Sequence, residues 1–195
     1  MRRFVFIGTN AAMAAVVLIP LFFLLNKSIR NPKRSAWYCL MAVYLSGVYA
    51  VVGLPNVGFI RFAPNINLEP FAYMFSDFTN SFLNVILFVP LGALLPVLWR
   101  RFKNPFRTVL FGLLVSLGIE VLQLFTFRAT DINDLMTNTL GALIGWIMGR
   151  IAVCFLHIPG DSERKQDVYQ FIGIALGVMF FLQPVIEMLT WRLFV

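Results

Sequence analysis

The polar side chains that could do chemistry are concentrated in one stretch of this chain. Between Glu120 and Gly149 two apolar runs meet at a short hinge, and Glu120, Gln123, Arg128, Asp131, Asp134 and Asn138 stand around it, with Asn84 in the apolar run before. Ser116, Glu120 and Gln123 fall at i, i+4 and i+7 and share one face of a helix, as do Asp134, Asn138, Gly141 and Gly145 on the next. Glu120 with Asp131 or Asp134 has the residue types of a general acid and base, and Arg128 beside them could hold a phosphate through parallel hydrogen bonds. A plainer reading stands next to this one. Asp131 has the position of an N-cap for the helix that follows, with Asp134 three residues on as its box-like partner, and Arg128 then simply pairs with the aspartates. Glu120 resists that reading, because an acid inside an apolar span costs a few kcal/mol to insert and by default marks a functional site.

Other catalytic constellations are missing. There is no GxSxG elbow, no phosphate-binding glycine loop and no His-based nucleophile set. His157, the only histidine, has no Cys or carboxylate neighbour at ligand spacing, so neither a metal nor a cofactor is expected. Cys39 and Cys154 lie within apolar runs, where they read as packing residues. The balance leans against an enzyme, with Glu120, Asp131 and Asp134 as the catalytic candidates if there is one.

The elements that must position these residues are set by composition. Of 195 residues 59% are hydrophobic and 13% charged, and the mean hydropathy is +0.81, which is membrane-protein territory. The net charge of +7 is not a nucleic-acid footprint, since most Lys and Arg lie in short loops beside apolar runs, where they orient the chain and meet anionic lipid. The expected fold is an all-α, polytopic transmembrane bundle over residues 1–195 as a single domain, with about six spans: Phe4–Leu25, Ala36–Leu54, Phe82–Trp99, Thr108–Phe127, Leu135–Leu156 and Val168–Leu189. The first run follows Arg2 and Arg3 as a signal peptide would, but it is long and lacks a small-residue cleavage site, so it reads as a retained helix. Pro90 and Gly92 interrupt the third span. Pro55–Asn80 is a long aromatic connection between spans two and three, either an interfacial belt or a lid.

Placing the first, third and fifth connections together puts eleven Lys and Arg on one side, including Arg150, against five on the other. That excess assigns the basic loops to the cytoplasm and the polar residues, with the aromatic loop, to the outer face. The GxxxG steps Gly141–Gly145–Gly149 are expected to pack against Gly112 and Ser116 in a tight hairpin of spans four and five, with Glu120 roughly 10 Å below the outer end of its helix.

At these residues the chain resembles the VanZ-like family. The resemblance is carried by Asn67-Leu68-Glu69-Pro70-Phe71, then Asn84-Val85-Ile86-Leu87-Phe88-Val89-Pro90-Leu91-Gly92, then Ser116 with Glu120 and Gln123, then Arg128 with Asp131 and Asp134, then Asn138-Thr139-Leu140-Gly141-Ala142-Leu143-Ile144-Gly145. It covers residues 67–150, and the ordered set is specific where each piece alone is weak. What it implies is a multi-pass protein of the bacterial cytoplasmic membrane, associated through its named relative with resistance to the glycopeptide teicoplanin. The implied partners are membrane lipids and a lipid-linked cell-wall precursor or lipoglycopeptide, met at the outer leaflet. Three functions stay open: a binding protein for such a ligand through Asn84, Glu120, Gln123, Arg128, Asp131, Asp134 and Asn138, an intramembrane acid and base enzyme on a lipid-linked precursor, or a small lipid or solute transporter.

Overall fold

The computed structural model describes residues 23, 27, 32–52, 62, 64–71, 77–126, 129–155 and 167–178. The expected first span apart from Phe23, the second half of the sixth, half of the expected Pro55–Asn80 connection, Arg128 and His157 lie outside the described residues. In chain order the elements are α1 (Pro32–Val52), β1 (Ile66–Asn67), α2 (Phe78–Leu98), a 3₁₀ turn (Arg100–Lys103), α3 (Pro105–Gln123), β2 (Thr130–Asp131), α4 (Ile132–Phe155) and α5 (Asp167–Gly177). Helix dominates, as expected, and the two short strands are an addition to it. Among the described residues four helices are long and apolar enough to cross a membrane: α2, α3 and α4 over their full lengths and α1 over Ser35–Val52.

The chain divides into two compact units, Met1–Val52 with Arg164–Val195, and Gly53–Glu163. In the first, Ala42 of α1 and Val178 just past α5 form a small buried cluster edged by Val43, Leu45 and Ile174. The second contains α2, α3, α4 and every described residue of the candidate site.

Helix ends in this second unit are set by capping, and they differ from those that hydropathy alone places. Helix α2 starts at Phe78 rather than Phe82 because Asp77 Oδ1 accepts the Asn80 N–H at 3.2 Å. Helix α3 starts at Pro105, whose fixed φ suits the first helical turn, with Asn104 Oδ1 accepting from Arg107 N at 3.3 Å. It stops at Gln123 rather than Phe127. There the chain turns through Leu124–Thr126, and both Thr126 N and Thr126 Oγ1 donate to Gln123 O, at 3.0 and 2.9 Å. Glu120 therefore stands in the last turn of its helix, about 4.5 Å from the end rather than roughly 10 Å below it. Pro90 and Pro96 both lie inside α2, which continues through them to Leu98.

The glycine stripe of α4 is a packing face, but its partner is α2 and not α3. A Cβ built on Gly141, Gly145 or Gly149 would fall on the carbonyl oxygens of Val85, Val89 and Ala93, and one on Gly92 would fall on the backbone of Ala142. Carbonyls thus occupy the space where side chains would be, the close backbone approach that glycine permits and that admits weak Cα–H···O contacts. Helix α3 joins this pair more loosely, through Gly112 over Ala142 Cβ. Both cysteines are free, and Cys154 is exposed on α4, so the packing role expected of it does not hold.

This arrangement separates two glycines that sequence alone does not. At Gly118 of α3 an added Cβ meets nothing within 4 Å, whereas at Gly145 it meets α2 backbone that cannot move aside. Gly118→Ala is expected to leave thermal stability in detergent unchanged or raise it by up to about 1 kcal/mol through helix propensity. Gly145→Ala should lower it by about 1–3 kcal/mol or more as the helices are forced apart.

Candidate functional site

The polar residues meet where α3 stops and α4 begins. A short segment that precedes α2 in the chain lies across that junction: β1 pairs in parallel with β2, Ile66 opposite Thr130 and Asn67 opposite Asp131. Thr130 N donates to Asn65 O at 2.8 Å and Thr130 Oγ1 to Glu120 O at 3.0 Å, so the same threonine touches the segment and the end of α3.

Glu120 is buried, at 4% exposure, and its Oε2 accepts the Asp131 N–H at 3.0 Å. In a capping box the backbone N–H of the N-cap residue is accepted by the side chain at N3. Here α4 begins at Ile132, so Asp131 is the capping residue and Asp134 stands at N3, yet Glu120 of α3 takes the N–H. The electrostatics favour the exchange, since a carboxylate near the positive end of α4 is stabilised there. Asp134 is left to accept from Asn84 Nδ2 of α2 at 2.6 Å. The expected cap at Asp131 is present, with Oδ1 accepting from Asn133 N at 2.8 Å, while the expected Asp131–Asp134 box is replaced by a bond between helices.

Asn133 is the hub of the junction. Its Oδ1 accepts the Phe71 N–H at 2.6 Å, and its Nδ2 donates to Glu69 O at 3.2 Å and to Asp131 Oδ1 at 2.9 Å. Asp131 Oδ2 in turn accepts from Asn67 Nδ2 at 3.2 Å, and Asn67 Oδ1 accepts from Glu69 N at 3.1 Å. The segment Asn67–Phe71 is thereby bound at both ends to the first turn of α4. Phe71 has φ 63, a left-handed conformation that costs a non-glycine residue roughly 1–2 kcal/mol and is held here by the bond to Asn133. A turn deeper, Thr137 Oγ1 donates to Asn133 O at 2.9 Å and Asn138 Nδ2 donates to buried Ser116 Oγ at 2.9 Å.

Six of the seven residues expected at the site are described. Glu120 and Asp131 are joined directly, Asn84 and Asp134 form a second pair, Asn138 ties α4 to α3 through Ser116, and Gln123 is buried at the end of α3. Arg128 lies outside the described residues. Sequence reasoning missed Asn133, Asn67 and Thr130 as participants. Asn133 could have been found from its place two residues after a capping Asp, where a short amide side chain reaches its own turn. Among the described residues no three His, Cys, Asp or Glu side chains cluster as metal ligands would.

Charge divides this unit by its two ends. Its described acids, Glu69, Asp77, Glu120, Asp131 and Asp134, are all at the end just described, and Arg100, Arg101, Lys103 and Arg107 are at the other.

Fold and site together define a helical membrane protein whose spans are closed at one end by a hydrogen-bonded polar junction. The chain belongs to the VanZ/LLP1 family, whose model matches residues 12–153 and so takes in the whole junction. It is 35% identical to Protein VanZ of Enterococcus faecium over 119 residues, which cover 59% of this chain and 68% of that relative. No solved structure matches it. The resemblance seen in the ordered motifs is borne out.

Two substitutions at Glu120 separate its charge from its role as an acceptor. Glu120→Gln keeps an oxygen for the Asp131 N–H, whereas Glu120→Ala strands that donor, a loss of about 1–3 kcal/mol. Thermal unfolding should therefore show the alanine variant clearly less stable than the glutamine one. Amide hydrogen exchange over residues 65–71 should rise in Asn133→Ala while α2 and the middle of α4 keep their protection.

Proposed function

We propose that this protein acts at the outer face of the bacterial cytoplasmic membrane. There its polar junction binds a lipid-bearing envelope ligand, a lipoglycopeptide such as teicoplanin or a lipid-linked cell-wall precursor, and so gives resistance to the glycopeptide. The observation that carries this reading is the Asn67–Phe71 segment, pinned over the junction by the Phe71 N–H and the Glu69 carbonyl on Asn133, with its apolar side chains exposed. Leu68 is 69% exposed, Phe71 58%, and Phe78 at the head of α2 64%. A polar floor with an apolar rim at a membrane end suits an amphiphile, whose head finds hydrogen bonds while its chain stays with lipid. The sidedness follows from the bias of Lys and Arg toward the opposite loops. The link to teicoplanin rests on family membership and the VanZ relative.

Binding is favoured over catalysis by how the carboxylates are engaged. Asp131 accepts amide donors from Asn67 and Asn133, and Glu120 accepts a backbone N–H. Groups used in this way hold a surface together rather than stand open to a reacting proton. An enzyme would be recognised by product formed from a purified lipid-linked precursor and lost in Glu120→Gln.

Growth inhibition in a susceptible Gram-positive host tests the reading. At matched membrane levels, wild type should protect against teicoplanin, and Asn133→Ala and Asp134→Asn should lose most of that protection. Removing one partner of such a polar contact costs about 1–3 kcal/mol, roughly tenfold in affinity. Equal protection by wild type and both variants would remove the junction from the function.

A further inference from the structure

The end of the Gly53–Glu163 unit opposite the polar junction holds a second built feature. Between α2 and α3 the chain makes the 3₁₀ turn Arg100–Lys103, and an open cavity of about 620 Å³ there is lined by Arg100, Arg101, Lys103, Asn104 and Arg107. Four cations within eight residues repel one another, and Arg107 adds its charge to the first turn of α3, whose N-terminal end is already positive. No acidic residue occurs anywhere from Phe78 to Ile119, and the first acid along α3, Glu120, stands at its far end.

The turn is nevertheless held rigidly. Trp99 is fully buried and Phe102 nearly so, and the Phe102 ring lies edge-on to Trp99 and to Phe111, with centroids 6.0 and 5.1 Å apart. Buried Thr108 donates its hydroxyl to Phe102 O at 2.7 Å. The core thus fixes the backbone that carries the cations, which keeps like charges together instead of letting the turn relax. Next to Arg107 in the first turn of α3, Phe106 is 72% exposed, and Leu110 one turn further on is 41% exposed, so the two form an apolar flank on the helix.

We infer that this cavity is a binding site for an anionic phospholipid, with the phosphodiester among Arg101, Lys103 and Arg107 and an acyl chain along Phe106 and Leu110. Arginine and lysine supply the donors that a phosphate needs, and the flank supplies the apolar contact that a free phosphate could not use. Arg107 is thirteen residues from Glu120, about 20 Å along α3, so the lipid site is separate from the polar junction and does not depend on its function.

The test uses the purified full-length chain in an uncharged detergent, with thermal unfolding followed on addition of phosphatidylglycerol, phosphatidylcholine or inorganic phosphate. A lipid that binds the folded state raises the midpoint saturably. Phosphatidylglycerol is expected to give a saturable rise of several degrees, with phosphatidylcholine and inorganic phosphate giving none. The rise should be mostly lost in Arg101→Gln/Lys103→Gln and in Arg107→Gln, and kept in Arg150→Gln, whose cation is not part of the cavity lining. An undiminished rise in the cavity variants, or an equal loss in Arg150→Gln, would overturn the site in favour of diffuse charge. A rise with inorganic phosphate alone would overturn the lipid assignment. If the cavity variants do not fold, native mass spectrometry of wild type decides: phosphatidylglycerol retained in preference to phosphatidylcholine supports the site, and equal retention refutes it.

Discussion

The junction depends on one bond between helices, the Asp131 N–H donated to the carboxylate of Glu120. The start of α4 has more backbone donors than its own turn can satisfy, and in a membrane an unsatisfied donor is costly. Accepting that N–H from α3 fixes where α4 begins relative to where α3 ends. It also leaves Asp131 Oδ1 for the Asn133 N–H and frees Asp134 to reach Asn84 on α2. Three helices are thereby joined through two carboxylates whose simplest local roles have been exchanged.

The Asn67–Phe71 segment follows from the same arrangement. Once Asp131 and Asn133 are fixed in the first turn of α4, their amide and carboxylate groups face outward as a ready set of partners for a passing backbone. The chain before α2 uses them as a strand would use a sheet edge, with β1 against β2, and then takes a left-handed conformation at Phe71. That conformation has a cost in backbone strain. Packing further down makes this geometry stiff, because α2 and α4 touch backbone to backbone along Gly141, Gly145 and Gly149. A ligand at the junction would meet a preorganised surface, which lowers the ordering cost of binding.

The membrane class, the three spans of the central unit and the family were legible in the sequence because each rests on long apolar runs or on an ordered set of motifs. Glu120 was also legible as unusual, but its depth was not: the helix end is set by the Thr126 turn, which hydropathy does not register. The glycine stripe was legible as a packing face while its partner was not. Helix α2 contributes carbonyls at Val85, Val89 and Ala93, with Gly92 and Ala93 as its small residues at the contact, so its side-chain pattern holds no repeated small-residue stripe to announce it. Asn133 was hidden because its role is to bind backbone atoms of residues more than sixty positions away, and only the cap at Asp131 is a local signal.

Direct binding tests the central claim, that the junction held by Glu120, Asp131 and Asn133 is where a lipid-bearing ligand is recognised. Purified wild type and a folded Asn133→Ala variant in nanodiscs would be titrated with teicoplanin and with vancomycin, followed by a change in protein fluorescence. Saturable binding of teicoplanin to wild type, at least about tenfold weaker in the variant, is the result this account predicts. Equal affinity in the two proteins, or no binding to wild type, would contradict it.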